Sequence, residues 1–374
     1  MTTSTTTMAR EIAEQPEALA RTLEALRPLR PALHHLSAER RSVLFVARGS
    51  SDNAAVYGRY LLEIHAGRPA ALAAPSVATH YGVRLDLSDA VVVAVSQSGE
   101  TEEIVETQAW ARRCGAATVA VTNGADSSLA RQADIALVTL AGLERAVPAT
   151  KSYTTQLAAV AVLATALAPD PLRLDAALDR VPAEVERLIA ERAGVDDAVE
   201  TLTGARETLV SGRGLAFGTA LEIALKLEET CLRPVRGLSY ADLRHGPIAV
   251  VDQDLVPVLV AASDGPMLGG MTELAGDLRG RGARATVGIG GDNGFADACD
   301  VAVAGPRLPE AVAPLALVVP GQLVVESLAR RLGLDPDAPR GLKKVTQTDP
   351  TADPAADSSA STPTPHRPTN GGTA

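Results

Sequence analysis

The chain has 374 residues, 46% of them hydrophobic, which is enough for two cores at the usual domain size of roughly 100–200 residues. Lys and Arg number 35 against 45 Asp and Glu, and a net charge of −10 lacks the basic footprint of a nucleic-acid binder. One Trp, five Tyr and three Phe are too few for the aromatic platforms of a single-strand binder.

The N-terminus, MTTSTTTMAREIAEQPE, has no basic segment followed by an apolar stretch, the pattern of a secretory signal. Residues 1–7 are expected to be disordered, and a first α/β unit is expected over 8–169, opening with a helix. SVLFVARGS is an apolar run ending in Gly and Ser, as in a buried parallel strand and its turn. A helical pattern covers 54–65, AALAA and AVVVAVSQSG follow as strands, and a helix is predicted over 102–113. ATVAVTNG and DIALVTL are further strands. A helix is predicted over 154–167, and the longest apolar run, near 157–168, is shorter than the roughly 20 residues a bilayer span needs.

Residues 170–198 read as a helical linker to a second unit over 199–333, in which the pattern recurs. ETLVSGRG takes the place of VLFVARGS and is followed by a helix over 217–231. DLVPVLVAASDG, RATVGIGG and DVAVAG replace the later strands, and a last helix is predicted over 314–332. Residues 334–348 form a C-terminal loop. The remainder, 349–374, holds only small, polar, charged and Pro residues and is expected to be a disordered tail. The predicted fold class is α/β: two tandem units, each a mostly parallel sheet flanked by helices in a flavodoxin-like three-layer sandwich. Cys114, Cys231 and Cys299 show no metal-ligand spacing, so no metal, cofactor or disulfide framework is expected, and the chain reads as soluble and cytoplasmic.

Two turns are candidates for ligand binding. Ser96-Gln97-Ser98-Gly99-Glu100-Thr101 follows an apolar strand and opens a helix, so hydroxyls and the positive end of a helix dipole meet in one place. Gly49-Ser50-Ser51-Asp52-Asn53 stands at the end of the first strand. Either turn alone can be a helix cap. As a pair at equivalent strand ends they suit an anion such as a phosphate ester, because ligands of open α/β sheets lie outside the carboxyl ends of the strands. No G-x-x-x-x-G-K-[ST] or G-x-G-x-x-G sequence follows the first strand, and Ser263-Asp264-Gly265 in the second half lacks the hydroxyl cluster.

The second half carries ionisable groups instead. Glu222, Lys226 and Glu229 are spaced i, i+4, i+7 and share one helix face. Such a face is either a solvated salt-bridge array or, in a cleft, a carboxylate base beside an ammonium. His245 lies on a loop in Leu-Arg-His-Gly-Pro. Lys343 and Lys344 form a basic pair in PRGLKKVT after the last helix. Each reads alone as incidental.

Together these strings resemble the tandem sugar isomerase (SIS) family, in particular the isomerase half of glucosamine-6-phosphate synthase and the SIS-type glucosamine-6-phosphate deaminases. The matching segments are MAREIAEQPEAL, GSSDNAAVYGRYLLE, AVSQSGET, VPATKSYTTQL, SGRGLAFGTALEIALKLEE, LRHGP and PRGLKKVT, in family order over 8–348. The resemblance implies that Ser50, Ser51, Ser96, Gln97, Ser98 and Thr101 bind phosphate. Val147 and Lys151 fall in the sugar-lining segment, with Ala149 where the synthase has Ser. Asp52 replaces an aromatic.

The resemblance further implies that Glu229 moves a proton between sugar carbons 1 and 2, with Lys226 on the same helix. His245 would assist ring opening from a second subunit of a homodimer, and Lys344 would contact the sugar. Because the pre-isomerase segment follows Met1-Thr2-Thr3 almost at once, no glutaminase activity is expected of this polypeptide. The expected enzyme is an amino-sugar-phosphate isomerase/deaminase converting glucosamine 6-phosphate to fructose 6-phosphate and ammonia. A fructosamine-6-phosphate deglycase, a simple sugar-phosphate isomerase and a non-catalytic sugar-phosphate sensor remain alternatives. A small sugar phosphate is the expected partner, with neither nucleic acid nor membrane.

Overall fold

The computed structural model describes residues 5–344 and residue 347. Three helices lead: α1 (Thr7–Ala13), α2 (Gln15–Leu26) and α3 (Arg30–Ser37). Ordered structure thus starts before residue 8. Thr6 Oγ1 accepts from Ala9 N at 3.0 Å, capping α1, and the first N–H groups of α1, at Thr7 and Met8, donate to the Asp337 carboxylate. The expectation of disorder through residue 7 therefore fails at Thr6 and Thr7, and residues 1–4 and 348–374, the predicted tail among them, lie outside the described residues.

The first sheet alternates with helices: β1 (Ser42–Val46), α4 (Ser50–Leu61), β2 (Ala70–Leu72), α5 (Ser76–Thr79), β3 (Ala90–Val95), α6 (Glu102–Arg113), β4 (Ala117–Thr122), α7 (Ser128–Gln132) and β5 (Ile135–Val138). Helix α8 (Lys151–Leu167) is buried along its whole length. Next come α9 (Leu172–Leu178), α10 (Val181–Glu191) and α11 (Val195–Thr203), the last running past the predicted end of the linker.

The second sheet follows with β6 (Glu207–Gly212), α12 (Phe217–Cys231), β7 (Val235–Ser239), α13 (Tyr240–Arg244), β8 (Leu255–Ala261), α14 (Leu268–Gly280), β9 (Val287–Gly290), α15 (Asn293–Ala298), β10 (Val301–Val303) and α16 (Pro314–Arg331). Strand β7 has no counterpart in the sequence reading. It lies at a sheet edge with only Val235 and Leu238 buried, and VRGLS carries neither an apolar run nor clean alternation.

All strand pairs are parallel, in the orders β2-β1-β3-β4-β5 and β7-β6-β8-β9-β10. The same order twice is the structural form of the repeat seen in the sequence. In each sheet the order reverses beside the first strand, and that switch point is where open α/β sheets bind ligands. One continuous core joins the halves: α8, α12 and α16 contribute to it together with both sheets. Helices α4 and α12 approach closely because residue 218 is glycine; a Cβ there would lie 2.6 Å from Asn53 O.

Candidate functional site

Strand β3 is buried at every position and ends at the Ser96–Thr101 turn. Gly99 sits at φ +68°, and a Cβ there would lie 2.2 Å from Ser127 Oγ, so backbone and space both require glycine. Ser96 Oγ accepts from Gly99 N at 3.2 Å and is 3.4 Å from Thr101 Oγ1; Ser98 Oγ accepts from Glu100 N at 3.2 Å. Thr101 is the N-cap of α6, but its side chain makes no capping bond. The Glu102 amide in the first turn of α6 donates instead to Gln347 Oε1 at 3.0 Å. Gly49, at φ +57°, precedes α4 in the same uncapped way. Ser51 Oγ accepts from Gln156 Nε2 of α8 at 3.0 Å.

These turns form one wall of a cavity of about 370 Å³ at the switch point of the first sheet. Ser50, Ser51, Ser96, Gln97, Ser98 and Thr101 line it, with Val147 and Ala149 beside them. Lys226 and Glu229 of α12 line the same cavity, as do Leu342, Lys343 and Lys344 of the C-terminal loop. The volume lies within the ordinary range of small-molecule sites.

Helix α12 presents Glu222, Lys226 and Glu229 on one face, as its spacing predicts. Tertiary packing makes this face something other than a solvated array: Glu222 is fully buried and Lys226 is 1% exposed. Glu222 Oε2 accepts from Asn53 Nδ2 at 2.8 Å, while Oε1 lies 3.5 Å from Lys226 Nζ and accepts no hydrogen bond. Burial pushes the Glu222 carboxyl up to about 7, against the opposing pull of Lys226 and the Asn53 amide. Lys226 Nζ also donates to Glu229 Oε2. Burial works against the Lys226 ammonium, yet Glu222 and Glu229 more than offset it and hold its pKa above the ordinary lysine value.

Lys344 pairs with a residue the sequence reading missed. Glu144, fully buried, accepts from Thr150 N at 2.9 Å, Ser152 N at 3.0 Å and Ser152 Oγ at 2.6 Å. Lys344 Nζ donates to Glu144 Oε2 at 2.6 Å and to Ala146 O at 2.7 Å. Burial alone would raise the Glu144 pKa, but Lys344 and the hydrogen bonds from Ser152 bring it below the usual carboxylate range. A lone acid three residues before Val147, in a segment otherwise rich in small apolar residues, was the available signal.

The structure does not gather every candidate. His245, the exposed C-cap residue of α13, is not among the residues lining the cavity. Lys151 is buried but turns away, to Glu14 and to Leu143 O at 2.7 Å. Two other residues missed by the sequence reading adjoin the turns: Arg48 lines the cavity, and Glu103 holds its guanidinium.

Among the described residues no cluster of His, Cys, Asp or Glu suits a metal ion, and no helix is long and apolar enough to cross a membrane.

Comparison with known proteins agrees with this geometry. The SIS domain model matches residues 35–166. Glutamine–fructose-6-phosphate aminotransferase (isomerizing) of Thermococcus kodakarensis is 34% identical over 350 residues, covering 90% of this chain and 57% of that protein. The enzyme of the same name from Symbiobacterium thermophilum is 37% identical over 359 residues, covering 90% of this chain and 58% of its own. The chain therefore spans a little over half the length of these curated relatives. Among solved structures, a protein assigned as a phosphosugar isomerase from Silicibacter pomeroyi superposes with a TM-score of 0.80 at 31% identity, covering 89% of this chain and 100% of that one. The C-terminal domain of glucosamine-fructose-6-phosphate aminotransferase from Francisella tularensis gives 0.81 at 26% identity, with 89% and 98% coverage. With its duplicated five-stranded parallel sheets and a similarity that runs the full length of a solved relative, the chain belongs to the SIS domain family.

Proposed function

We propose that the protein is a sugar-phosphate isomerase/deaminase that converts glucosamine 6-phosphate and water to fructose 6-phosphate and ammonia. One observation carries the reading: the Ser50–Ser51 and Ser96–Thr101 turns and the Lys226–Glu229 pair line a single cavity. Hydroxyls, helix-end amides and nearby cations take the phosphate at one end. Carbons 1 and 2 of the open-chain sugar then lie beside Glu229.

In that pose the Glu229 carboxylate removes the proton from carbon 2 and returns it to carbon 1, while the carbonyl oxygen at carbon 1 takes up a proton and becomes a hydroxyl. The amine-bearing carbon 2 becomes an imine. Water adds to it and ammonia leaves, giving the ketose. Lys226 fixes the Glu229 carboxylate, and Lys344 stands on the sugar side of the cavity. His245 reaches the ring oxygen from a second copy of the chain, in a homodimer.

Ammonia release from glucosamine 6-phosphate by the purified protein tests this. Turnover that is lost in Glu229→Gln supports it; no turnover, or full activity in that variant, overturns it. Assaying fructosamine 6-phosphates and fructose 6-phosphate in parallel separates deglycation and simple isomerisation, and unchanged but bound ligand identifies a sensor.

A further inference from the structure

We propose that Arg48 is a phosphate-recognition residue of this cavity, aimed by Glu103; this rests on the reading that the cavity takes a phosphate ester. Arg48 stands between β1 and Gly49, at the start of one serine turn, and lines the cavity. Its partner Glu103 lies in the first turn of α6, just beyond the other serine turn.

The pairing is bidentate. Arg48 Nε donates to Glu103 Oε2 at 3.0 Å and Nη2 donates to Oε1 at 2.9 Å. The Glu103 side chain is 5% exposed, whereas that of Arg48 is 45% exposed. A surface ion pair of two mobile side chains contributes little. Here one partner is immobilised in the protein, so the other has a fixed direction. Glu103 uses the Nε/Nη2 edge of the guanidinium, while Nη1 makes a long 3.4 Å contact to Ala47 O. A guanidinium has five N–H groups and two edges, and the Nη1/Nη2 edge matches two oxygens of a phosphate.

Charge gives a second reason for a cation here. Asp52 in the first turn of α4 is the other carboxylate in the field of Arg48; burial raises its pKa and Arg48 opposes that rise. Neither Asp52 nor Glu103 lines the cavity, whereas Arg48 does, so a phosphate between these turns meets the cation and not the two carboxylates. Lys226 and Lys344 each face a carboxylate at the sugar end. The pair also ties the β1 turn to α6 and so sets the separation of the two anion-binding turns.

Calorimetric titration of inorganic phosphate into wild type, Arg48→Ala, Arg48→Lys and Glu103→Gln tests the assignment, with fold checked by thermal melting. Loss of one charge-assisted contact predicts that Arg48→Ala weakens phosphate binding about tenfold. Arg48→Lys, which keeps the charge but not the planar edge, recovers part of it. Glu103→Gln, with Arg48 intact but poorly aimed, loses about threefold. With glucosamine 6-phosphate the same order appears in KM more than in kcat. Phosphate affinity in Arg48→Ala within twofold of a wild type that binds overturns this assignment alone. A wild type with no phosphate affinity overturns the phosphate reading of the cavity, and this one with it.

Discussion

Lys344 Nζ lies 2.6 Å from Glu144 Oε2 although 200 residues separate them in the chain. This contact holds the C-terminal loop against the first half and brings Lys344 to the cavity wall. The Glu144 carboxylate also receives the Thr150 and Ser152 amides at the start of α8, so removing it leaves both backbone donors without their acceptor and Lys344 with Ala146 O but no carboxylate.

Glu144→Ala is therefore expected to destabilise the protein by about 3 kcal/mol, the scale for breaking a buried pair on one side, and to raise KM for the sugar phosphate. Urea midpoints and steady-state kinetics check both effects. The pH sign follows from the depressed pKa of Glu144 in the folded state. Its contribution is complete above the unfolded carboxylate value near 4.5 and disappears as pH falls through the lower folded value. The acid limb of the stability curve is shallower in Glu144→Gln.

Glu222 carries the opposite sign. Its folded pKa of about 7 stands above the ordinary 4.5, so the folded state holds a proton that the unfolded chain releases. Stability from this group is present below 4.5, declines as pH rises towards 7 and stays low above it. Glu222→Gln is predicted to flatten that slope, with a gain at pH 8 on the order of 2 kcal/mol over the wild-type trend. Chemical denaturation across that pH range, wild type against variant, decides it; identical slopes would falsify the titration assigned to Glu222.

Gly218 is where α12 meets α4. An added methyl group would press on Asn53 O at 2.6 Å and on Tyr57 N at 3.2 Å, both backbone atoms that cannot swing aside. Gly218→Ala should cost about 2 kcal/mol, as for overpacking a tight contact, and should lengthen the 2.8 Å Asn53–Glu222 hydrogen bond. Thermal melting measures the first effect and a crystal structure of the variant the second.

His245 stands outside the cavity that it is proposed to serve, so its variants test the second copy. Glu229→Gln and His245→Ala are each expected to be nearly inactive alone. Mixed at equal concentration after subunit exchange, half of the dimers contain one site with both residues intact, giving about a quarter of wild-type activity. An inactive mixture of folded, exchanging variants rules out donation between subunits.

Much of the fold was legible because it rests on short-range pattern. The β3 segment AVVVAV is buried at every position, and an unbroken apolar run bounded by polar turns says as much before any contact is known. The same holds for the two serine turns, whose Gly, Ser and Thr residues report local backbone needs. Strand β7 was not legible, because an edge strand in which only Val235 and Leu238 are buried leaves little apolar pattern in VRGLS.

The site was legible only in part. The spacing of Glu222, Lys226 and Glu229 assigned them to one face, but a spacing is silent on what that face meets. Burial of Glu222 beneath Asn53 comes from α4 packing on α12, 169 residues away in the chain, and burial is what moves its pKa. Glu144 with Lys344 and Arg48 with Glu103 have the same origin. Lys151 and Lys344 look alike in sequence; packing turned the first towards Glu14 and the second into the cavity. The sequence by itself determined most of the elements, their twofold repetition and the net acidic charge, since these depend on residue type and periodicity. Which charges are buried, which are paired and which line the cavity was decided by the tertiary structure alone, because desolvation and Coulomb energy depend on distances through space and not along the chain.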